Sequence, residues 1–456
     1  RRRIAVLSGF LCISMLSLVS FAAEMPSASP PEPPKSERSI TERTVSIDGK
    51  AIAYSATAGT LVVRDKSDQP TARIGYFAYL KKGVEDAGRR PITFAFNGGP
   101  GSSSLWLHLG ALGPRRVVTV EAGATAPPFH LVDNPWSVLD KTDLVMIDPV
   151  GTGLSRALGE KKDKDFWGVD ADIESISHFI RQFVSENGRW RSPKFLLGES
   201  YGSTRAGGIV DYLDTRENLA LNGVILVSVA LDIEAIFAWP GNDRPYPFIL
   251  PTFAAVAAFH GALPTAPANL DAFLDEVRQF AIGEYEAALD AGDRLEASQK
   301  DALAEKLHRY TGLSADYWKR ANLRVREAEF CQELLREKGE LVGRLDGRFR
   351  GHNFDSLAQE ADYDPQSSGI SAAFAGAFLD YLHTELRFGD GATYRVINPE
   401  AAPSWDWKHN VGWFIAAPTP NTGVDLGRAM TRNPNLHLLV QNGLHDLATP
   451  FFATEG

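Results

Sequence analysis

Residues 198–202 read Gly-Glu-Ser-Tyr-Gly and place Ser200 between two glycines. The pattern Gly-x-Ser-x-Gly is typical of a tight turn from a strand into a helix, where the serine hydroxyl is presented for nucleophilic attack. A predicted buried strand at 194–197, Lys-Phe-Leu-Leu, precedes the turn, and helical spacing continues after it to Leu213. A helix N-terminus also favours negative charge developing at the serine. The sequence therefore predicts an acyl-transfer nucleophile at Ser200, and a loop serine in a glycine-rich turn is the alternative.

A second glycine-rich segment lies upstream, at residues 97–101, which read Asn-Gly-Gly-Pro-Gly. It follows the short apolar run 92–96, which is typical of a buried strand. An acyl-transfer nucleophile needs backbone N–H donors for the tetrahedral oxyanion, and the residue after the serine, Tyr201, supplies one of them. The loop 97–101 can supply the second, because glycine leaves room for the substrate carbonyl. A purely structural turn is the alternative reading of this loop.

Strand and helix patterns alternate around these two loops. Short apolar runs predict four buried strands, at 92–96, 144–147, 194–197 and 224–229. Helical spacing over 169–183 and after Ser200 predicts the helices between them. This alternation is typical of a largely parallel sheet with helices on both faces. Upstream, alternation of apolar and polar residues over 45–63 predicts antiparallel strands.

The pattern becomes mainly helical in the middle of the chain. An apolar stripe over 270–280 follows Asn269, a residue type that caps helix N-termini. The alternation of strands and helices resumes with a helix near 372–386 and a strand at 436–441. The predicted fold class is therefore α/β, with a first core part at 45–231, a mainly helical cap insertion at 232–368 and a second, incomplete core part at 369–456.

The N-terminal residues predict export. Three arginines are followed by a stretch without charged residues from Ile4 to Phe21 and then by two alanines. This order predicts a secretory signal peptide at 1–23, with an uncleaved membrane anchor as the alternative. Residues 24–44 are rich in proline and predict a linker. Because export is predicted and two cysteines cannot form a disulfide framework, we expect a secreted or bacterial periplasmic location rather than a eukaryotic secretory route.

Composition excludes several classes of protein. The 456 residues are 44% hydrophobic and 23% charged, which is typical of globular proteins. The formal net charge of −10 argues against a protein that binds nucleic-acid backbones. Cys12 and Cys331 are too few for a cysteine-based zinc site, and no phosphate-binding or His-Glu metal motif occurs. We therefore predict no cofactor, no nucleic-acid partner and no stable membrane association after signal cleavage, and the oligomeric state is left open.

Three motifs in order resemble those of the serine carboxypeptidases. They are Asn-Gly-Gly-Pro-Gly-Ser-Ser-Ser-Leu at 97–105, Asp-Pro-Val-Gly-Thr-Gly-Leu-Ser at 148–155 and Gly-Glu-Ser-Tyr-Gly at 198–202. The resemblance extends from about Arg73 to the end of the chain and is weakest in the cap. It implies an α/β-hydrolase fold and release of C-terminal amino acids from peptides. One departure is Ser102, which stands where the family usually has a cysteine.

The resemblance also implies roles for individual residues. Ser200 corresponds to the nucleophile, and Gly99 and Tyr201 correspond to the oxyanion donors. Asn97 and Glu199 match the positions that hold the terminal carboxylate of the substrate. Two carboxylates repel unless they share a proton, so Glu199 should bind substrate best when protonated. We therefore expect activity to favour acidic pH.

The general base is the missing part of the predicted site. Asp446 follows the strand at 436–441 and resembles the acid of the triad, whose histidine should come later in the chain. The sequence has ten histidines, and the last, His445, directly precedes Asp446. Either the sequence is truncated and the histidine lies beyond Gly456, or the protein is a non-catalytic relative that binds peptides. The intact serine and oxyanion motifs favour truncation.

The leading functional hypothesis is a secreted serine carboxypeptidase that acts on peptides with a free C-terminal carboxylate. An esterase or acyltransferase on the same fold is one alternative, because it uses the same nucleophile without needing the pair Asn97 and Glu199. A peptide-binding protein without activity is the other.

Overall fold

The computed structural model describes residues 34–65, 67–412 and 415–456. The predicted signal peptide and the first residues of the predicted linker lie outside the described residues. The strands are β1 (Arg38–Ile47), β2 (Lys50–Arg64), β3 (Pro70–Lys81), β4 (Ile92–Phe96), β5 (Arg115–Val117), β6 (Leu131–Asp133), β7 (Asp143–Ile147), β8 (Arg156–Ala157), β9 (Lys194–Glu199), β10 (Gly223–Val227), β11 (Glu340–Val342), β12 (Arg350–His352), β13 (His409–Gly412), β14 (Ile415–Ala417) and β15 (His437–Gln441).

The helices lie mostly between these strands and in one long segment of the middle of the chain. They are α1 (Leu105–Leu107), α2 (Val169–Glu186), α3 (Tyr201–Arg216), α4 (Pro245–Phe259), α5 (Leu270–Phe280), α6 (Glu286–Ala291), α7 (Ala297–Thr311), α8 (Ala315–Arg320), α9 (Glu327–Glu333), α10 (Pro365–Thr384), α11 (Gly423–Arg432) and α12 (Phe452–Glu455). Within the described residues, none of these helices has the length and apolar character needed to cross a membrane.

The main sheet has the strand order β1-β2-β3-β7-β4-β9-β10-β15, with β8 paired to β3. The strands from β7 to β15 in this order are parallel. The strands from β1 to β7 pair antiparallel. The predicted parallel sheet is thus extended by an antiparallel half. The carboxyl ends of the parallel strands meet along one edge, which is where open α/β sheets form their ligand sites.

Both faces of the sheet are covered by helices. Successive residues of a strand point to opposite faces, and the buried strand β9 shows the result. Leu196 packs in a core that includes side chains of α2, α3 and α11. Leu197 packs in a second core, with side chains of α1 and α10. Because both faces are buried, the parallel strands read as continuous apolar runs, which is why the sequence reveals them.

Helices α4 to α9 surround a third core of their own. Phe253 of α4 and Phe330 of α9 stack in its centre, with ring centroids 4.0 Å apart. Asn269 accepts a hydrogen bond of 2.9 Å from the Ala272 N–H at the start of α5, so the predicted helix cap is confirmed. The predicted helical character of this segment is confirmed as well.

Strand β15 lies at the edge of the main sheet and pairs only with β10 among the described residues. All five of its residues are exposed, although three of them are apolar, at 438–440. The chain that follows turns away from this edge. Leu447, Phe451 and Phe452 are buried in the core of the helical segment α4–α9.

Three boundaries differ from the predictions. The predicted linker 24–44 is wrong over residues 38–44, because these residues belong to β1 and pair with β2. The predicted end of the cap insertion at residue 368 falls inside α10, which begins at Pro365. The predicted strand 224–229 ends at Val227. The middle of the chain also contains the short antiparallel pair β11–β12, which sequence patterns did not reveal.

Candidate active site

Ser200 occupies the tight turn between β9 and α3, as the sequence predicts. Its backbone angles are φ 58° and ψ −128°, a conformation that costs free energy in residues other than glycine. Two hydrogen bonds hold the turn: the Ser200 N–H donates to the Val227 carbonyl (2.9 Å), and the Ser203 N–H donates to the Ser200 carbonyl (2.8 Å). Ser200 is partly exposed and lines a cavity at the carboxyl edge of the sheet. Strained backbone at an exposed serine is typical of a nucleophile turn.

Steric crowding explains why the two positions around Ser200, 198 and 202, are glycines. A Cβ atom at Gly198 would lie 2.1 Å from the Gly202 carbonyl oxygen. A Cβ atom at Gly202 would lie 2.9 Å from the Phe96 carbonyl oxygen. Both obstacles are backbone atoms of buried strands or helices, so they cannot move aside. The turn therefore accepts only glycine at these positions, which explains the sequence pattern.

The loop after β4 lies against the first turn of α3. A Cβ atom at Gly98 would lie 2.4 Å from the Tyr201 nitrogen, so the two backbones are in direct contact. Gly99 has a φ of 110°, in the region that favours glycine. Tyr201 is the first residue of α3, and the N–H groups of a first turn have no acceptor within the helix. The structure thus brings together the two segments from which oxyanion donors are predicted.

Asn97 and Glu199 lie side by side where β4 and β9 end. The Asn97 Nδ2 group donates a hydrogen bond of 2.7 Å to Glu199 Oε2. Asn97 Oδ1 accepts from the Leu107 N–H at 2.9 Å, which fixes the orientation of the amide. Burial raises the pKa of Glu199 above its usual range, the hydrogen bond from Asn97 opposes that rise, and the nearby Asp446 adds to it. The result is a carboxyl group that binds a proton more readily than a solvated glutamate does.

Asp446 follows β15 and is 8% exposed. Its Oδ1 atom accepts hydrogen bonds from the N–H groups of Ala448 and Thr449, both at 3.0 Å, and its Oδ2 atom accepts from the Thr449 hydroxyl at 2.7 Å. Burial raises the pKa of Asp446, while hydrogen bonds from Thr449 and Ser228 act against the rise. These donors hold the carboxyl group in one orientation at the edge of the cavity.

One cavity of about 400 Å³ joins the predicted residues. It is lined by Asn97, Gly99, Glu199, Ser200, Tyr201 and Asp446. Apolar side chains form much of its remaining wall, among them Trp106, Phe237, Ile370, Phe374 and Trp407. A cavity with a few converging polar groups on an apolar wall is typical of a small-ligand site. A larger cavity of about 930 Å³, lined by residues between 234 and 326, contains none of the six.

None of the ten histidines, all of which belong to the described part of the chain, lines this cavity. His445 precedes Asp446, but its ring packs against Phe259, with centroids 5.4 Å apart. His409 lies between Asp170 and Asp425, with its two ring nitrogens 2.6 and 2.8 Å from their carboxylate oxygens. The structure therefore brings together the predicted serine, oxyanion donors, carboxylate pair and acid, and it places no histidine with them.

Two buried charged residues, Asp148 and Arg205, were given no individual role from the sequence. Asp148, after β7, accepts a hydrogen bond of 2.9 Å from the Ser104 N–H, and burial raises the pKa of Asp148 to about 6. A Cβ atom at Gly153 would lie 1.9 Å from the Asp148 carboxyl, which explains a glycine in the second motif. Arg205 is fully buried in α3. The signal for Arg205 was a single charge among small and apolar residues over 201–210.

Comparison with solved structures identifies the fold of the chain. Among solved structures, the chain is similar to the prohormone-processing carboxypeptidase KEX1(delta)p of Saccharomyces cerevisiae. The TM-score is 0.52 at 14% sequence identity, and the match covers 88% of this chain and 76% of that chain. The chain thus has the α/β-hydrolase fold, and the predicted fold class is confirmed.

Sequence comparisons point to one family within this fold. Residues 58–227 match the family model for serine carboxypeptidase. The chain is similar to serine carboxypeptidase-like 36 of Arabidopsis thaliana, with 26% identity over 173 residues, 37% of this chain and 34% of the relative. It is also similar to the pheromone-processing carboxypeptidase KEX1 of Cryptococcus gattii, with 33% identity over 125 residues, 27% of this chain and 18% of the relative. The matches therefore span about a third or less of these curated relatives, and they support the resemblance found in the motifs.

Proposed function

We propose that this chain is a serine-type carboxypeptidase, which releases C-terminal amino acids from peptides through an acyl-enzyme on Ser200. The observation that carries the proposal is the hydrogen-bonded pair Asn97 and Glu199 in the same cavity as Ser200. A terminal carboxylate accepts hydrogen bonds, and an amide N–H and a protonated carboxyl group both donate them. The pair therefore offers two donors to a free C-terminus.

The proposed reaction uses two steps on the same serine. Ser200 Oγ attacks the carbonyl carbon of the last peptide bond while a general base takes the hydroxyl proton, and the N–H groups of Gly99 and Tyr201 donate to the resulting oxyanion. The C–N bond then breaks, and the base returns the proton to the leaving amino group. Water attacks the acyl-serine in the same way, which releases the shortened peptide and restores the hydroxyl.

Asp446 has the role of orienting the general base in this proposal. None of the ten described histidines lines the cavity, so the reaction requires a base that these ten do not supply. A histidine after Gly456 stays a prediction.

The proposed recognition of the carboxylate sets the direction of the pH dependence. Burial raises the pKa of Glu199, so its proton is retained to higher pH than on a solvated glutamate. Binding should be strong while Glu199 is protonated and weaken as the pH rises through its pKa, because two carboxylates would then face each other. The proposed activity therefore favours acidic pH.

Two other functions fit parts of the site. An esterase or acyltransferase would use Ser200 and the oxyanion donors, and the apolar wall with Trp106 and Phe374 suits an acyl group. A peptide-binding protein without activity would use the pair Asn97 and Glu199 alone. No histidine of the described residues lines the cavity, and this observation favours the peptide-binding protein as a candidate.

Matched peptide substrates separate these functions. A carboxypeptidase should hydrolyse a blocked dipeptide with a free C-terminus and leave its C-terminal amide intact, because only the free acid can bind to Asn97 and Glu199. An esterase should hydrolyse small esters with no preference for a carboxylate. A binding protein should bind the free acid and show no labelling of Ser200 by a fluorophosphonate probe. Ser200→Ala is the control for every assay, and equal hydrolysis of acid and amide would contradict the proposal.

We infer further that the protein is exported, in the bacterial periplasm or outside the cell, and that residues 1–23 direct that export. The support is the order of basic, apolar and small residues at the N-terminus. Cell fractionation of the full-length protein, with and without residues 1–23, tests this location. Retention of both forms in the cytoplasm would contradict it.

A further inference from the structure

Arg205 is a buried cation directly beneath the candidate active site. Its side chain is 0% exposed, and its Nε group donates a hydrogen bond of 2.7 Å to Oδ2 of Asp172, which is 2% exposed. Asp172 lies in the first turn of α2, so the ion pair joins α2 to α3. Burying two charges is expensive, and an apolar pair of similar size often stabilises a protein at least as well. Stability alone therefore does not explain the pair.

Arg205 also contacts both segments that carry the predicted oxyanion donors. Its Nη1 group donates a hydrogen bond of 2.7 Å to the main-chain carbonyl of Asn97, the first residue of the loop 97–101. Its guanidinium lies 5.4 Å from the ring centroid of Tyr201 and 5.1 Å from that of Phe96. One side chain thus bridges the end of β4 and the start of α3.

We propose that Arg205, oriented by Asp172, is a positioning residue that fixes the loop 97–101 against the first turn of α3, a role that rests on the proposed function of Gly99 and Tyr201. Gly98 sets the closest approach of the two backbones, because any Cβ there would overlap the Tyr201 nitrogen. Arg205 sets the opposite limit, since its hydrogen bond to Asn97 prevents the loop from moving away. The separation of the two oxyanion donors is therefore held from both sides.

The planar guanidinium is suited to this task. Its Nε and Nη1 groups point in different directions within one rigid plane, toward Asp172 and Asn97. A lysine carries a point charge on a flexible stem and cannot reproduce this fixed fork. Because Asn97 also donates to Glu199, a shift of the loop would misplace the carboxylate pair together with the oxyanion donors.

The decisive experiment compares Arg205→Met with the double variant Arg205→Met/Asp172→Leu in the full-length protein. The single variant leaves Asp172 buried without its partner and should lower the melting temperature. The double variant replaces the ion pair by apolar side chains and should recover most of that loss. We expect kcat/KM of the double variant to remain lower by about 10- to 100-fold, the cost of misplacing reacting groups by about 1 Å. Recovery of wild-type kcat/KM by the double variant would overturn the proposal.

A crystal structure of the double variant supplies a readout that needs no activity. We expect the loop 97–101 to lie farther from the first turn of α3 than in the wild type. A loop in the wild-type position would overturn the inference. If the wild type hydrolyses no peptide, the proposed function fails, and the loop position still decides this inference on its own.

Arg189→Met is the control for loss of a buried ion pair away from the cavity. Arg189 pairs with Asp143 at 2.7 Å, with side chains 4% and 3% exposed, at the amino ends of the parallel strands. Asp143 keeps a second partner, Arg90, at 2.8 Å. This variant should lose stability and keep its kcat/KM. A fall in kcat/KM equal to that of the Arg205 variants would mean that destabilisation explains both, and the positioning role would be rejected.

Discussion

Asn97 donates a hydrogen bond of 2.7 Å to Glu199, a residue 102 positions later in the chain. Asn97 directly follows β4 and Glu199 ends the neighbouring parallel strand β9, so the register of the sheet, which pairs Phe96 with Gly198, places them together. Glu199 directly precedes Ser200, and Asn97 is the first residue of the loop 97–101. Groups proposed to bind a substrate carboxylate and groups proposed to attack its peptide bond are therefore fixed by the same two strand ends.

Glu199→Gln should remove the pH dependence of carboxylate recognition. Burial raises the pKa of Glu199, so wild-type kcat/KM for a free-acid peptide should fall as the pH rises through that pKa. Glutamine donates a hydrogen bond at every pH, so this limb of the profile should be absent from the variant. The measurement is kcat/KM against pH for both proteins, with the exposed Glu337→Gln as control. Parallel profiles for wild type and Glu199→Gln would contradict the assigned role.

Asp446→Asn should lower kcat strongly while changing the stability of the fold little. The Thr449 hydroxyl can turn to accept a hydrogen bond from the new amide, so unfolding free energy should change by about 1 kcal/mol. Loss of the acid should lower kcat by up to about 10⁴-fold, the effect of the same change in a serine protease triad. Steady-state kinetics and urea unfolding measure the two quantities. A variant that keeps wild-type kcat would remove Asp446 from the proposed mechanism.

Gly98→Ala should be costly, and Gly427→Ala should not. A methyl group at Gly98 would lie 2.4 Å from the Tyr201 nitrogen, whereas no atom outside the adjoining backbone of α11 lies within 4 Å of the equivalent point at Gly427. Overpacking of backbone at Gly98 should cost about 1–3 kcal/mol, and alanine in the helix should stabilise by about 0.5–1 kcal/mol. Chemical denaturation of both variants tests the pair. Equal stabilities would show that the two backbone segments are not in contact.

His409 should make the fold lose stability as the pH becomes alkaline. Its Nδ1 and Nε2 atoms lie 2.6 Å from Asp170 and 2.8 Å from Asp425. Burial alone would lower the pKa of His409, but the hydrogen bonds and charges of the two carboxylates outweigh it and raise the pKa to about 9. The stabilisation is thus complete below the pKa of an unfolded histidine, about 6.5, and is lost as the pH rises through about 9.

The corresponding experiment measures unfolding free energy at pH 6 and pH 10. Wild type should lose on the order of 3 kcal/mol more than His409→Gln across this interval. His383→Gln is the control, because His383 is 44% exposed and pairs with an exposed aspartate. The same pH dependence in wild type and His409→Gln would show that the buried cluster does not hold a proton.

Local signals explain what could be predicted from the sequence. The turn at Ser200 is predictable because backbone crowding demands glycine at 198 and 202, and these glycines are visible in the sequence. The strands 92–96 and 194–197 are predictable because both of their faces are buried. In each case the constraint fixes the residue types over a short stretch of the chain, so the local sequence displays it even where the neighbouring atoms, such as the Phe96 carbonyl beside Gly202, are distant in sequence.

Features that depend on partners far away in the chain could not be predicted from the sequence. None of the residues 38–44 is buried, so their strand has no apolar pattern and exists through pairing with β2. The role of Arg205 depends on Asp172 and on the Asn97 carbonyl, which lie on two other elements. The position of His409 likewise depends on Asp170 of α2 and Asp425 of α11, which lie on two other elements. Such relationships arise only when the elements meet.

The burial of Leu447, Phe451 and Phe452 among helices α4 to α9 has a practical consequence for protein engineering. These residues follow Asp446 almost directly, so the acid of the candidate site is anchored in the helical segment as well as in the sheet. A minimal hydrolase made by excising α4 to α9 would expose these apolar side chains and release the loop that holds Asp446. The helical segment therefore cannot be exchanged as an independent module without redesigning the chain that carries the acid.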